Sequence, residues 1–306
     1  MDMMRTPRPL TAAACVVGAM AMLGLSDNLV ILVAGDIGLW QFHFLRSALA
    51  LPLILIAAVV YGSRLRPVSP AAVALRSFFV SLSMMFYFGA LAFLPVAQSA
   101  AGLFTAPIWV LLFTRIGLGV RVSALNVSAV IFGFAGVLAV LQPDFGALSP
   151  AMAMPVAAGI TYAIGAIATR RYCTQETALG LLTGFFLAII GWSAVGTAVL
   201  AVLQPEVPDG TAGFLLRGWV PLTAATWGLL AVQALSAVIG VGLIIRGYLL
   251  AEAAYVSVFE YTLLIFGALW GWALWGQVLN MPALAGIALI VLSGVALARS
   301  GRSTGS

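Results

Sequence analysis

Lysine is absent from this sequence, histidine occurs once and cysteine twice in 306 residues. Each shortage removes a class of function. Without lysine no phosphate-binding GxxxxGK[ST] loop can form, so the chain is not itself a P-loop pump. The single histidine, His43, and a few dispersed carboxylates give no cluster for metal or acid–base chemistry. Neither enzymatic activity nor a metal or other cofactor is expected. Cys15 and Cys173 lie in or beside apolar runs, with no CxxC spacing and no histidine nearby, which suits packing or a plain thiol. Charge is the scarcest commodity: 8% of residues are charged and 63% are apolar, against roughly a quarter charged in soluble domains. Such a chain cannot cover a surface suited to water. Its net charge of +5 comes from fourteen arginines scattered in ones and twos, not clustered as a nucleic-acid surface requires.

What is present is apolar sequence in long blocks. A membrane-spanning helix needs about 20 predominantly apolar residues. Breaks at charges, prolines and glycine-rich turns divide the chain into ten such blocks: 10–34, 37–61, 71–93, 96–115, 122–141, 149–169, 177–203, 221–245, 252–275 and 279–299. The first resembles a signal peptide behind Arg5 and Arg8, but its apolar run continues to Ala34 and reads as an uncleaved helix. Short connections such as Leu94-Pro95 force antiparallel neighbours, and the longest polar linker runs from Gln204 to Trp219.

Arginine placement sets the orientation by the positive-inside rule. With both termini inside, Arg5, Arg8, Arg64, Arg66, Arg76, Arg115, Arg121, Arg170, Arg171, Arg246, Arg299 and Arg302 fall on the cytoplasmic side, and Arg217 alone outside. Asp36, Asp144, Glu206 and Asp209 fall outside as well.

The two halves echo each other. Gly18 and Gly24 recur as Gly159 and Gly165, 141 positions on, and the stretch from Gly119 recurs from Gly276 at an offset of 157. Five helices per half is an odd number, so the second half enters the membrane from the opposite side. The expectation is an all-α integral membrane protein of ten transmembrane helices. They form two inverted five-helix repeats, residues 1–145 and 146–306, around a central cavity. That architecture is typical of secondary transporters.

At this level the sequence resembles the ten-helix EamA-type permeases of the drug/metabolite transporter superfamily. The resemblance rests on FHFLRSALALPLIL, FGALAFLPVAQSAAGLFTAPIWVLL, GFAGVLAVLQP, FEYTLLIFGALWGWALWGQ and GIALIVLSGVALA. It implies transport of small metabolites, often exported amino acids. One departure stands out. Family members commonly carry glutamate after the glycine that ends the fourth and ninth helices, whereas Val120 and Gln277 stand there. Any role of those glutamates is not carried over.

Ionisable groups inside lipid cost several kcal/mol unless paired or wet, so they are candidates for function. Arg46 lies about 13 Å deep in the second helix at 1.5 Å per residue, and Asp27 lies at similar depth in the first. His43, three residues before Arg46, shares its face. Asp27 is expected to neutralise Arg46, with His43 and Asn28 on the same wet face, either for transport or as a structural lock. Glu260, eight residues into the ninth helix, is a candidate for taking up and releasing a proton or for contacting solute. Its alternatives are a protonated hydrogen bond to a neighbouring helix or a meeting with Arg246 or Arg76. Glu252 reads as a solvated turn residue. Tyr87, Phe104, Trp109, Tyr162, Trp227 and Tyr261, with Gln233, offer an aromatic wall with hydrogen-bonding groups for an amphipathic solute; packing is the competing role for each. Trp40, Trp219 and Trp275 read as interfacial anchors, and Pro107 as a hinge in the fourth helix.

The sequence therefore points to a multi-pass inner-membrane transporter of small metabolites working by alternating access. Its partners are the lipid bilayer and a small solute, with no nucleic acid, and its oligomeric state is not legible. Amino acids, including aromatic ones, are the expected solutes. The alternative is uptake of a vitamin, nucleoside-like compound or carboxylate. A membrane enzyme and a channel are the remaining classes.

Overall fold

A computed structural model describes residues 8–90, 93–94, 96–143, 150–208 and 210–303. Arg5, Pro95, Asp144 and Asp209 lie outside the described residues, as does the side chain of Arg302. The helices are α1 (Pro9–Ala34), α2 (Leu39–Val60), α3 (Pro70–Ala90), α4 (Val96–Leu103), α5 (Ala106–Leu112), α6 (Ala124–Leu141), α7 (Ala153–Tyr172), α8 (Ala178–Leu203), α9 (Ala224–Leu250), α10 (Ala253–Phe259), α11 (Thr262–Trp275) and α12 (Met281–Ser303). A π-helical turn, Phe113–Gly117, extends α5.

Among the described residues nine stretches are long and apolar enough to cross a bilayer. The tenth rod, α7, has 20 residues, about 30 Å at 1.5 Å per residue, but is less apolar, being rich in Gly and Ala and ending on Arg170 and Arg171. Large apolar side chains face outward: Val59, Val202, Ile131 and Leu292 are 75%, 82%, 60% and 65% exposed. Exposed apolar surface on this scale belongs in lipid. The chain is an all-helical, multi-pass membrane protein.

Helix ends follow local chemistry. Ser123, Thr177 and Thr223 cap α6, α8 and α9 by accepting from the N–H of Asn126, Gly180 and Thr226. A capping hydroxyl satisfies a donor the helix leaves open. Glu176 does similar work across a turn: its carboxylate accepts from Val68 N at 3.0 Å and Ser69 N at 2.7 Å, holding the start of α3. Left-handed residues recur in step, Gly62 with Gln204 at the ends of the second and seventh crossings, and Gly119 with Gly276 after the fourth and ninth.

Two expected helices are not continuous. The fourth crossing breaks at Phe104-Thr105 into α4 and α5, with Pro107 in the first turn of α5. Proline fits there because the first-turn N–H has no helical partner anyway. The ninth crossing breaks at Glu260-Tyr261 into α10 and α11, where tight bonds from Glu260 N to Ser257 O and from Tyr261 N to Val258 O replace the α pattern. No proline marks this second break.

Helices pair as α1 with α9, α3 with α7, α2 with α8 and α6 with α12. If each crossing is exchanged with the one five later, this pairing maps onto itself. The α6–α12 pair shows how close the approach is. A Cβ on Gly136 would stand 2.7 Å from the Gly286 carbonyl oxygen, and one on Gly286 2.6 Å from that of Gly136.

Candidate functional site

Helices from both halves enclose a cavity of about 170 Å³. Its walls are mostly apolar and aromatic, with Met20, Met84, Phe88, Phe104 and Phe185 among the lining residues. Charge enters at two levels. Asp27 and Arg46 stand near the α1–α2 end; Arg76 lies six residues into α3, and Tyr162, Thr169, Tyr248 and Glu260 gather with it toward the α2–α3 end.

At the first level Asp27 is exposed onto the cavity and is the acid whose field acts on Arg46. The expected direct ion pair is not formed. Among the described residues the ion pair within contact distance is Arg170 with Glu252, at 3.3 Å, and the Glu252 side chain stays 65% exposed in its turn. Arg46 instead places Nη2 3.1 Å from His43 Nδ1 and stacks 5.0 Å from the Phe42 ring. Arginine has no acceptor, so Nδ1 accepts and the ring is neutral with its proton on Nε2. His43 is fully buried, Nε2 is unpartnered, and the ring meets Phe88 edge-on at 4.7 Å. His43 thus stands behind Arg46, off the cavity lining rather than on the expected wet face.

At the second level Tyr162 Oη donates to Glu260 Oε1 at 2.8 Å. Tyr248 lies against the same pair without hydrogen-bond geometry. Arg76 is 3% exposed, donating from Nε to Thr169 Oγ1 at 3.2 Å and from Nη1 to the Leu181 carbonyl at 3.1 Å. Arg76, expected among the cytoplasmic flanking charges, is covered by protein rather than open to water. Its position near a helix start gave no sign that α7 and α8 cover it.

The other candidates divide. Asp27, Arg46, Tyr87, Phe104, Tyr162, Glu260 and Pro107 line the cavity. Asn28 does not: it donates to the Gly24 and Gly267 carbonyls, tying α1 to α11. Gln233 is fully buried between α9 and α1, accepting from Ser26 Oγ and donating to Ser26 O at 2.7 Å. Trp109 donates to Thr105 Oγ1 at 3.0 Å. Tyr261 is buried against Phe104 and over Gly133. Trp227, 44% exposed, borders a separate shallow groove with Gln41 and Trp219. These five residues do not line the cavity. Trp219, in the linker before α9, and Trp275, at the end of α11, are exposed, while Trp40 donates to the Leu215 carbonyl and is half-buried. No group of three metal-ligating side chains occurs among the described residues.

No protein-family model matches the chain. The pseudopaline exporter CntI of Pseudomonas aeruginosa is 27% identical over 266 residues, covering 85% of this chain and 86% of its own. Riboflavin transporters are similar too. That of Rhizobium johnstonii is 27% identical over 74% of this chain and 69% of its own, and that of Vibrio cholerae 26% identical over 72% and 68%. A solved crystal structure has a TM-score of 0.73, covering 97% of this chain and 99% of its own at 18% identity, and shares the fold.

Proposed function

We propose that the protein is a secondary transporter of small metabolites in the cell inner membrane, of the ten-helix EamA type. It works by alternating access with both termini cytoplasmic. The observation that carries this reading is the enclosed, charged and aromatic cavity shared by helices of both halves. Binding at such a place is how inverted-repeat transporters work. The self-consistent helix pairing and the paired left-handed residues support two inverted five-helix halves, 1–145 and 146–306. The breaks at Thr105 and Glu260 fall at corresponding places in the fourth and ninth crossings and give each half a bendable rod at the cavity wall. Similarity to named exporters and transporters supports the same class.

The solute we favour is an amphipathic metabolite with an aromatic or apolar body and charged groups, of which amino acids are one class. Uptake of a vitamin is the second reading, favoured by the riboflavin transporters among the similar proteins. Counterflow in proteoliposomes against labelled amino acids, riboflavin and simple carboxylates, at two pH values, tests the proposal. Saturable counterflow of at least one solute is expected. A leak without saturation would make the protein a channel and overturn it.

A further inference from the structure

Arg76 carries a charge with no ion-pair partner among the described residues. It is 3% exposed, and a buried cation without a partner is among the costliest arrangements in a membrane protein. Arg46, by comparison, shares its end of the cavity with Asp27, though beyond ion-pair distance. The acid that shares its end of the cavity, Glu260, is engaged by Tyr162. No acid lies within ion-pair distance of Arg76 among the described residues.

Its geometry is fixed rather than adaptable. Nε is held by Thr169 and Nη1 by the Leu181 carbonyl, so the guanidinium plane is set by α7 and α8. Thr169 is committed in turn, donating to the Gly165 carbonyl at 2.8 Å. Nη2 alone has no protein partner among the described residues, and Arg76 borders the cavity. The Phe185 ring lies 6.0 Å from the guanidinium carbon and faces the same void.

We infer that Arg76 is a specificity-determining residue that binds a carboxylate of the transported solute, with the solute's aromatic or apolar body lying against Phe185 and toward Tyr162 and Phe104. This deepens the transporter reading and rests on it. The free nitrogen offers two N–H donors and one charge, a match for one carboxylate; a phosphate, with about two charges and three acceptor oxygens, would be left largely unsatisfied. Arg76 stands six residues from the start of α3 and Arg46 seven from the start of α2. Helices of about 30 Å entered from opposite ends put the two levels roughly 10 Å apart along the bundle. A carboxylate at Arg76 thus leaves room for a ring-sized body before Asp27 and Arg46 are reached.

The test uses purified full-length protein and matched acid–amide pairs: phenylacetate with phenylacetamide, indole-3-acetate with indole-3-acetamide, and phenylalanine with phenylalaninamide. Affinity is read by ligand-induced thermal stabilisation at constant ionic strength. At least one acid is expected to bind tenfold or more tightly than its amide. Arg76→Gln should erase that preference and Arg76→Lys, which keeps a charge and is the variant to use if the glutamine form does not fold, should cut it at least threefold. Arg246→Gln, at an exposed arginine outside the cavity lining, should leave it in place, and Arg46→Gln is measured beside it. The inference is overturned if no pair is discriminated, if discrimination survives both Arg76 variants, or if only Arg46→Gln removes it. Saturable counterflow of any solute by the unaltered protein would still uphold the transporter reading in those cases, and its absence would remove that reading separately.

Discussion

Replacing Gln233 by leucine separates a helix clamp from a solute contact. Gln233 and Ser26 exchange two hydrogen bonds between α9 and α1 in a fully buried position. Interhelical bonds in membrane proteins average about 0.6 kcal/mol, so losing both costs about 1.2 kcal/mol. Leucine is close to glutamine in volume, so no large cavity adds to this. Part of the loss is recoverable, because Ser26 Oγ can turn to a carbonyl of its own helix, as Ser193 and Ser293 do at 2.8 Å. The Ser26 carbonyl also keeps its place in the α1 ladder. The expected outcome is a loss of about 1 kcal/mol, measured by reversible unfolding in mixed detergent micelles, with KM for any transported solute unchanged within twofold. A double-mutant cycle with Ser26→Ala should return a coupling of about 0.6 kcal/mol, the hydroxyl bond alone, because the second bond goes to the Ser26 backbone carbonyl that alanine keeps. Additive effects, or a KM raised tenfold with stability intact, would refute the clamp and put Gln233 in the cavity wall.

Gly136→Leu should abolish stable α6–α12 packing and cost more than 3 kcal/mol, because its Cβ has no room beside the Gly286 backbone. Gly191→Ala, where no atom stands within 4 Å, should be neutral in the same unfolding assay. Glu176→Ala removes two charge-assisted bonds from the start of α3 and should lower stability by about 1–3 kcal/mol, seen as faster proteolysis of the turn around Val68. Glu260→Gln should flatten the pH dependence of transport while counterflow persists; a pH profile like that of the unaltered protein would exclude Glu260 from proton coupling. Asp27→Asn combined with Arg46→Gln should abolish transport at normal expression, and transport at the unaltered rate would reduce the pair to a structural feature.

The sequence by itself determined the medium and the rods. Scarce charge and ten apolar blocks leave no folding solution in water, and helix ends follow from local signals such as Ser123, Thr177 and Thr223, so the boundaries came within a few residues. Asp27, Arg46 and Glu260 were also legible, because an ionisable group in an apolar run stands out whatever it touches. Tertiary structure decided which polar groups meet. Gln233 and Ser26 are 207 positions apart and Arg76 and Thr169 are 93 apart, and no local rule says which face of one helix another covers. The break at Glu260 has no proline to announce it, and there Tyr162, 98 positions away, donates to the Glu260 carboxylate. Arg76 is the clearest case: six residues from a helix start it reads as a snorkelling interface charge, and only the helices laid over it turn it toward the cavity.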